Sequence, residues 1–143
     1  MNNTYIHKPI KQKKWYLINA KTENLGRLST YISKLLIGKN NSTYTPHLNT
    51  EINIIIINAK YITITGKKRY QKKYQRHSGK PGGLKTESFI ELNQRQPNRI
   101  IEHSIKGMLP KNTLGKQLFK QINIYPEDIH PHAAQKPAVI KLN

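Results

Sequence analysis

Between Ile52 and Asn58 the chain reads INIIIIN, five isoleucines in seven residues. β-Branched side chains favour the pleated backbone. A strand with one wet face would alternate apolar and polar positions, and this run does not, so both its faces must be covered. That is the signature of an interior strand in a parallel sheet. The segment before it fits the same plan. Trp15–Asn19 is an apolar stretch short enough for a buried strand. A helix follows: Asn24 can cap it, Leu25, Leu28, Ile32, Leu35 and Leu36 recur at three- and four-residue spacings, and Gly38 supplies the left-handed terminus. Strand, helix and buried strand in succession make an α/β chain with parallel strands.

Tyr61–Thr65 alternates and ends at Gly66, as a shorter, more exposed strand or extended piece would. The second half is more helical. Thr86–Arg95 is a helix candidate, and Pro97 suits the first turn of another that carries Ile100, Ile101 and Ile105 inward and stops at Gly107. Asn112 or Thr113 can open a short helix with Leu114, Leu118 and Phe119 on its apolar side, and Ile122–Tyr125 reads as a last strand. Pro126, Pro131 and Pro137 make the tail irregular, lying extended along a surface. The expected organisation is a basic, extended N-terminal arm over 1–14, one α/β domain over 15–125 with a basic loop at 66–85, and an extended C-terminal tail over 126–143. A length of 143 residues suits one domain, for which roughly 100 to 200 residues is usual.

Charge decides the kind of partner. The chain carries 25 Lys and Arg against 7 Asp and Glu, a formal net charge of +18. An excess of this size points to nucleic acid, and self-repulsion in a small domain implies that part of its order depends on a partner that screens it. The excess is densest in KKRYQKKYQRHSGKPGGLK, Lys67 to Lys85, which contains no acid. Lys67, Lys68, Arg69, Lys72, Lys73, Arg76, Lys80 and Lys85 would repel one another in a free loop, and a dense array of phosphates would neutralise them. Tyr70, Tyr74 and the turn residues from His77 to Gly83 give the stretch a shaped rather than low-complexity character.

Other classes find little support. Cysteine is absent, which removes disulfides, thiolate zinc sites and a cysteine nucleophile. No run of about 18 apolar residues could span a membrane, and the first residues lack the apolar core of a secretory signal, so the product is expected to act where it is made or to lack its targeting segment. The acids Glu23, Glu51, Glu87, Glu91, Glu102, Glu127 and Asp128 are scattered and form no catalytic pair. His130 and His132 flank Pro131 like a fragment of a metal site, but His7, His47, His77 and His103 show no spacing that would complete four ligands; bonds to RNA or backbone suit the pair better. Gly38-Lys39 and Gly66-Lys67-Lys68 lack the glycine spacing of a phosphate loop. Ser78 beside His77 has no orienting acid nearby. No catalytic residue, metal, cofactor or small-molecule substrate is expected.

Three longer strings carry a sharper signal: LGRLSTYISKLLIGKNNSTYTPH, KKYQRHSGKPGGLK and IKGMLPKNTLGKQLFKQINIYPEDIHPHAAQKP. In this order and spacing the chain resembles the large-subunit ribosomal protein family numbered thirteen, in its bacterial and organellar form, from about Trp15 to Pro137. The resemblance implies a three-layer α/β/α fold with a mainly parallel four-stranded sheet. It also implies binding to large-subunit ribosomal RNA beside neighbouring ribosomal proteins, a part in early subunit assembly, and no catalysis. Carried over, the first string places Arg27, Lys39, Tyr44, Pro46 and His47 against folded RNA. The second places Gly66, Lys67, Tyr74, His77, Gly79, Gly82, Gly83 and Lys85 there, with glycines that admit phosphates close to backbone amides and rings that can stack on an unpaired base. In the third, Lys106, Lys111 and Lys116 are RNA contacts, whereas Met108, Leu109 and Leu114 suit packing. The tail matches at His130, His132, Ala134, Gln135 and Pro137.

The chain departs from the family's pattern at four places. Asn19 and Asn49 stand where Asp is usual, Glu51-Ile52 replaces a usual Gly-Asp, and Lys80 occupies a commonly aromatic or apolar position. Together they raise the positive charge and bear on the detail of the turn before the Ile52 strand rather than on the function. The bias to Ile, Asn and Lys is that of AT-rich coding sequence and favours a plastid ribosome over a bacterial cytoplasm. A free-standing nucleic-acid-binding regulator, such as a translational repressor, would use the same basic surface and is the rival reading.

Overall fold

The computed structural model describes residues 13–21 and 23–142; the expected arm over 1–14 falls almost wholly outside the described residues. In chain order the elements are β1 (Lys14–Asn19), α1 (Leu25–Ile37), β2 (Ile52–Ile57), α2 (Lys68–Gln71), β3 (Lys73–His77), β4 (Leu84–Ser88), α3 (Phe89–Arg95), α4 (Pro97–Met108), α5 (Thr113–Phe119), β5 (Ile122–Ile124) and β6 (Ala138–Ile140), with 3₁₀ turns at Ala59–Tyr61 and Ala133–Gln135.

Four strands form one sheet in the order β5-β2-β1-β6, with every pairing parallel. β1 lies against β2 in register from Lys14↔Ile52 to Asn19↔Ile57. The isoleucine run is therefore interior, and Ile54, Ile55 and Ile56 are completely buried. This is the expected α/β plan.

Alternate residues of the strands point to opposite faces. Ile18, Ile54 and Ile56 join one cluster with Leu25, Leu28, Ile32 and Leu36 of α1 and Ile100, Ile101 and Ile105 of α4. Burial of each such side chain contributes about 1.5–3 kcal/mol. α1 packs directly on α4 across this face. Its two buried hydroxyls are satisfied inside the helix, Ser29 Oγ donating to the Leu25 carbonyl and Ser33 Oγ to that of Ser29, each at 2.7 Å. Trp15 has the other parity, and there the segment between β5 and β6 lies over the sheet, with the His132 ring 5.3 Å from that of Trp15.

Several boundaries differ from expectation. The helix expected over Thr86–Arg95 begins only at Phe89, because Thr86–Ser88 pair with Lys73–Gln75 as strand. Gly107 does not stop α4, which runs on to Met108; Leu109 leaves the helix with ψ 154°, as the residue before Pro110 must. Asn24 occupies the N-cap position of α1 but makes no capping bond with its side chain, whose Oδ1 instead accepts from Thr63 Oγ1 at 3.1 Å. The expected Tyr61–Thr65 piece forms no strand: Tyr61 ends a 3₁₀ turn, and Thr63 makes an isolated bridge to Asn24, with its Oγ1 also donating to the Glu23 carbonyl at 2.9 Å. Ile122–Ile124 is not the last strand: the tail contributes β6, which adds the fourth strand at the β1 edge. Gly38 closes α1 at φ 81° as expected.

Candidate nucleic-acid interface

The basic stretch is not a loop. Gly66 turns the chain at φ 66°, α2 makes a single helical turn, and β3 and β4 form an antiparallel hairpin separate from the main sheet. A six-residue connection closes it, with Ser78 N–H donating to the Gly83 carbonyl at 3.1 Å and Gly83 N–H to that of Lys80 at 2.9 Å. Gly79 and Gly82 hold φ of 86° and 72° there, values that a side chain would strain. The His77 ring orders the same turn, its Nδ1 accepting from the Gly79 amide at 2.9 Å.

The hairpin is fastened to the body by packing and by one ion pair. Tyr74 is partly buried, its ring edge-on to His103 at 5.6 Å with the Lys72 ammonium 5.4 Å from its centre. Its Oη is buried without a partner, and burial raises the phenol pKa above the ordinary value. Glu87 takes both bonds from Arg95 Nη2, at 2.8 and 2.6 Å. At the root, Ser88 caps α3 in a reciprocal box: its Oγ accepts from Glu91 N–H while its own N–H donates to Glu91 Oε2. Those bonds, the backbone one foremost, hold the exposed Glu91 carboxyl below the usual glutamate range.

The cations project outward. Lys67, Lys68, Arg69, Lys73, Arg76, Lys80 and Lys85 are exposed and Lys72 is half-buried along Tyr74. Tyr70 is 72% exposed, so it and not Tyr74 offers an open ring face. Among the described residues the single ion pair is Arg95–Glu87, so the cations of α2 and the hairpin stand without carboxylates.

The structure brings some expected site residues together. Arg27, at the start of α1, lines an open pocket of about 410 Å³ with Lys68 and Lys72. Arg76 and Lys85 line a smaller cleft with Arg95, Arg99 and His103. Arg69 shares a third hollow with Lys60. Lys39, Tyr44 and His47 are exposed on the connection from α1 to β2, and Lys106, Lys111 and Lys116 are exposed along α4, the turn after it and α5. His130 and His132 lie at the sheet's other face. His132 is held there by Tyr125 Oη at 2.8 Å, and its N–H donates to His130 Nδ1 at 3.3 Å. Sequence reasoning passed over Arg95, Arg99 and His103. The four-residue spacing of Arg99 and His103 on α4, away from the buried Ile100, Ile101 and Ile105, was the available signal; Arg95, at the end of α3, had none.

Among the described residues no three His, Asp or Glu side chains are grouped as a metal site, and no helix is long and apolar enough to cross a membrane.

Residues 13–131 match the family model described as ribosomal protein L13. The chain is 56% identical over 140 residues to the large ribosomal subunit protein uL13c of Gracilaria tenuistipitata var. liui, covering 98% of both. It is 53% identical over 137 residues to uL13c of Porphyra purpurea, covering 96% of both. Against uL13 of Microchaete diplosiphon it is 53% identical over 144 residues, covering 100% of this chain and 95% of that one.

Proposed function

Because the chain belongs to the ribosomal protein L13 family, and so is a constituent of the large ribosomal subunit and not an enzyme, we propose that it binds large-subunit ribosomal RNA and supports early subunit assembly in a plastid ribosome. The observation that carries this reading is the exposed hairpin with its unneutralised cations, packed on an α/β body. RNA is the polyanion that such a surface fits. Contacts go mainly to phosphate and sugar, and specificity comes from RNA shape and a few unpaired bases, because side chains cannot read the deep, narrow major groove of A-form RNA. The rigid body presents α2, the hairpin and the loop after α1 as separate holding points, which fixes RNA segments relative to one another. Tyr70, Tyr61 and Tyr44 are exposed rings among the described residues, and Tyr70 and Tyr44 lie on the basic segments, where they can stack. Neighbouring large-subunit proteins complete the surroundings. The plastid assignment rests on the likeness to the red algal and cyanobacterial proteins and on the AT-rich composition.

The test is sedimentation of a tagged copy through a sucrose gradient of organelle lysate at moderate and high salt. Travel with the large subunit and its precursors, resistant to a moderate-salt wash, is the expected result. A protein that stays at the top of the gradient would instead act as a free regulator of nucleic acid.

A further inference from the structure

We propose that the cleft between the β3–β4 hairpin and α4 is a phosphate pocket that grips one backbone phosphate of the bound RNA, with Arg76, Lys85 and Arg99 as its ligands. The proposal rests on the RNA-binding reading above and adds a specific site to it.

The hairpin register sets Arg76 directly opposite Lys85. Like charges across an antiparallel pair repel and destabilise it. Both side chains share the hairpin face that carries Tyr74 and Glu87, and that face looks onto α4, where Tyr74 meets His103. From α4 come Arg99 and His103, one turn apart and lining the same cleft. The lining thus gathers four strong cations, Arg76, Lys85, Arg95 and Arg99, around one carboxylate, Glu87, and both oxygens of Glu87 are taken by Arg95. Three cations are left facing a shared space.

That space measures about 130 Å³. The cleft opens to solvent on one side and has room for a tetrahedral oxyanion with its waters. Guanidinium forks match phosphate oxygens in pairs, which suits Arg76 and Arg99 on opposite walls, with Lys85 as a point charge between strands. A phosphate seated there relieves the cross-strand repulsion and ties the hairpin to α4 through a shared anion. RNA binding then adds one more tie between the hairpin and the body to those the protein already makes through Tyr74 and Arg95.

The experiment measures binding of the full chain to large-subunit ribosomal RNA across a salt series, for the wild type, Arg99→Gln, Arg76→Gln, the double variant, and Lys120→Gln as a remote exposed control. Phosphate-ethylation interference maps the contacts of each. Arg99→Gln is expected to weaken binding roughly tenfold and to lower the slope of log affinity against log salt by about 1. The double variant should lose less than the product of the two single losses, because both side chains grip one group. The same single phosphate should cease to interfere in both single variants, and Lys120→Gln should leave that phosphate unaffected. A steeply salt-dependent wild type with an unchanged Arg99→Gln, or two variants that release different phosphates, overturns the pocket while the RNA-binding reading stands. A wild type that fails to bind the RNA removes both. Circular dichroism of Arg99→Gln, an exposed position, excludes loss of folding as the cause.

Discussion

At the scale of single residues, Glu51 shows what a departure from the family pattern does. It sits at φ 55°, in the left-handed region where glycine is the easy residue. The place that resemblance flagged as a Gly-to-Glu exchange is thus strained backbone, and Asn49 braces it: Asn49 Oδ1 accepts from the Glu51 amide and from Gln121 Nε2, each at 3.1 Å. A left-handed L-residue costs about 1–2 kcal/mol. Glu51→Gly should therefore raise stability by roughly 0.5–1 kcal/mol once glycine's larger backbone entropy is subtracted, which a urea melt would show as a higher midpoint. Tyr74 is the opposite case, a residue whose setting the sequence could not reveal. It reads as a stacking ring among cations, and it packs as a strut under the hairpin because its strand turns that face to α4. Its orphan hydroxyl makes Tyr74→Phe about 1 kcal/mol more stable in the free protein. The raised phenol pKa means that this residue's contribution is complete below the ordinary tyrosine range near 10 and is lost as pH climbs through the folded value. An alkaline melt should lose less in the phenylalanine variant.

Among the elements, those with their own signals were legible. α1 carries its apolar spacing in the 13 residues Leu25–Ile37, with the closing glycine next to them, and β2 announces its burial by composition alone. The boundary between β4 and α3 was not, because Thr86–Ser88 are compatible with either state and pairing with β3 decides between them. What begins α3 is the Ser88–Glu91 box. Ser88→Ala should cost about 1 kcal/mol and loosen the root of the hairpin, visible as faster amide exchange over Thr86–Glu91. Glu91, with its pKa held low by Ser88, contributes above the ordinary glutamate range, and the contribution is lost as pH falls through the lower folded value. The thermal difference between wild type and Glu91→Gln should accordingly shrink between about pH 6 and pH 3. The end of α4 shows the same division: Gly107 is a plausible stop, but a glycine only permits an ending, whereas Pro110 enforces extended backbone at Leu109.

For the whole molecule the controlling quantity is the +18 charge. If six to ten phosphates are engaged, affinity for RNA should fall by roughly 10³ to 10⁵ between 50 and 200 mM salt, and a nearly flat titration would refute an electrostatic mode of binding. Replacing Lys73, Arg76 and Lys80 together with Gln should weaken RNA binding and leave circular dichroism and melting unchanged or improved, since all three are exposed and Arg76 faces a like charge. The sequence by itself determined the class of the protein: a buried parallel strand, a helix returning to it, a polyanion-binding surface, and motif strings specific enough to place the family. Those properties are written in local periodicity, composition and charge, which need no partner segment to be read. Only the tertiary structure decided that the basic stretch is a hairpin, that the tail returns as β6 at the edge of the sheet, and that Arg76 and Lys85 meet Arg99 across a cleft. Each of these depends on pairing or packing between residues distant in the chain. A strand at an edge or in a charged hairpin carries too little apolar pattern of its own to declare its partner.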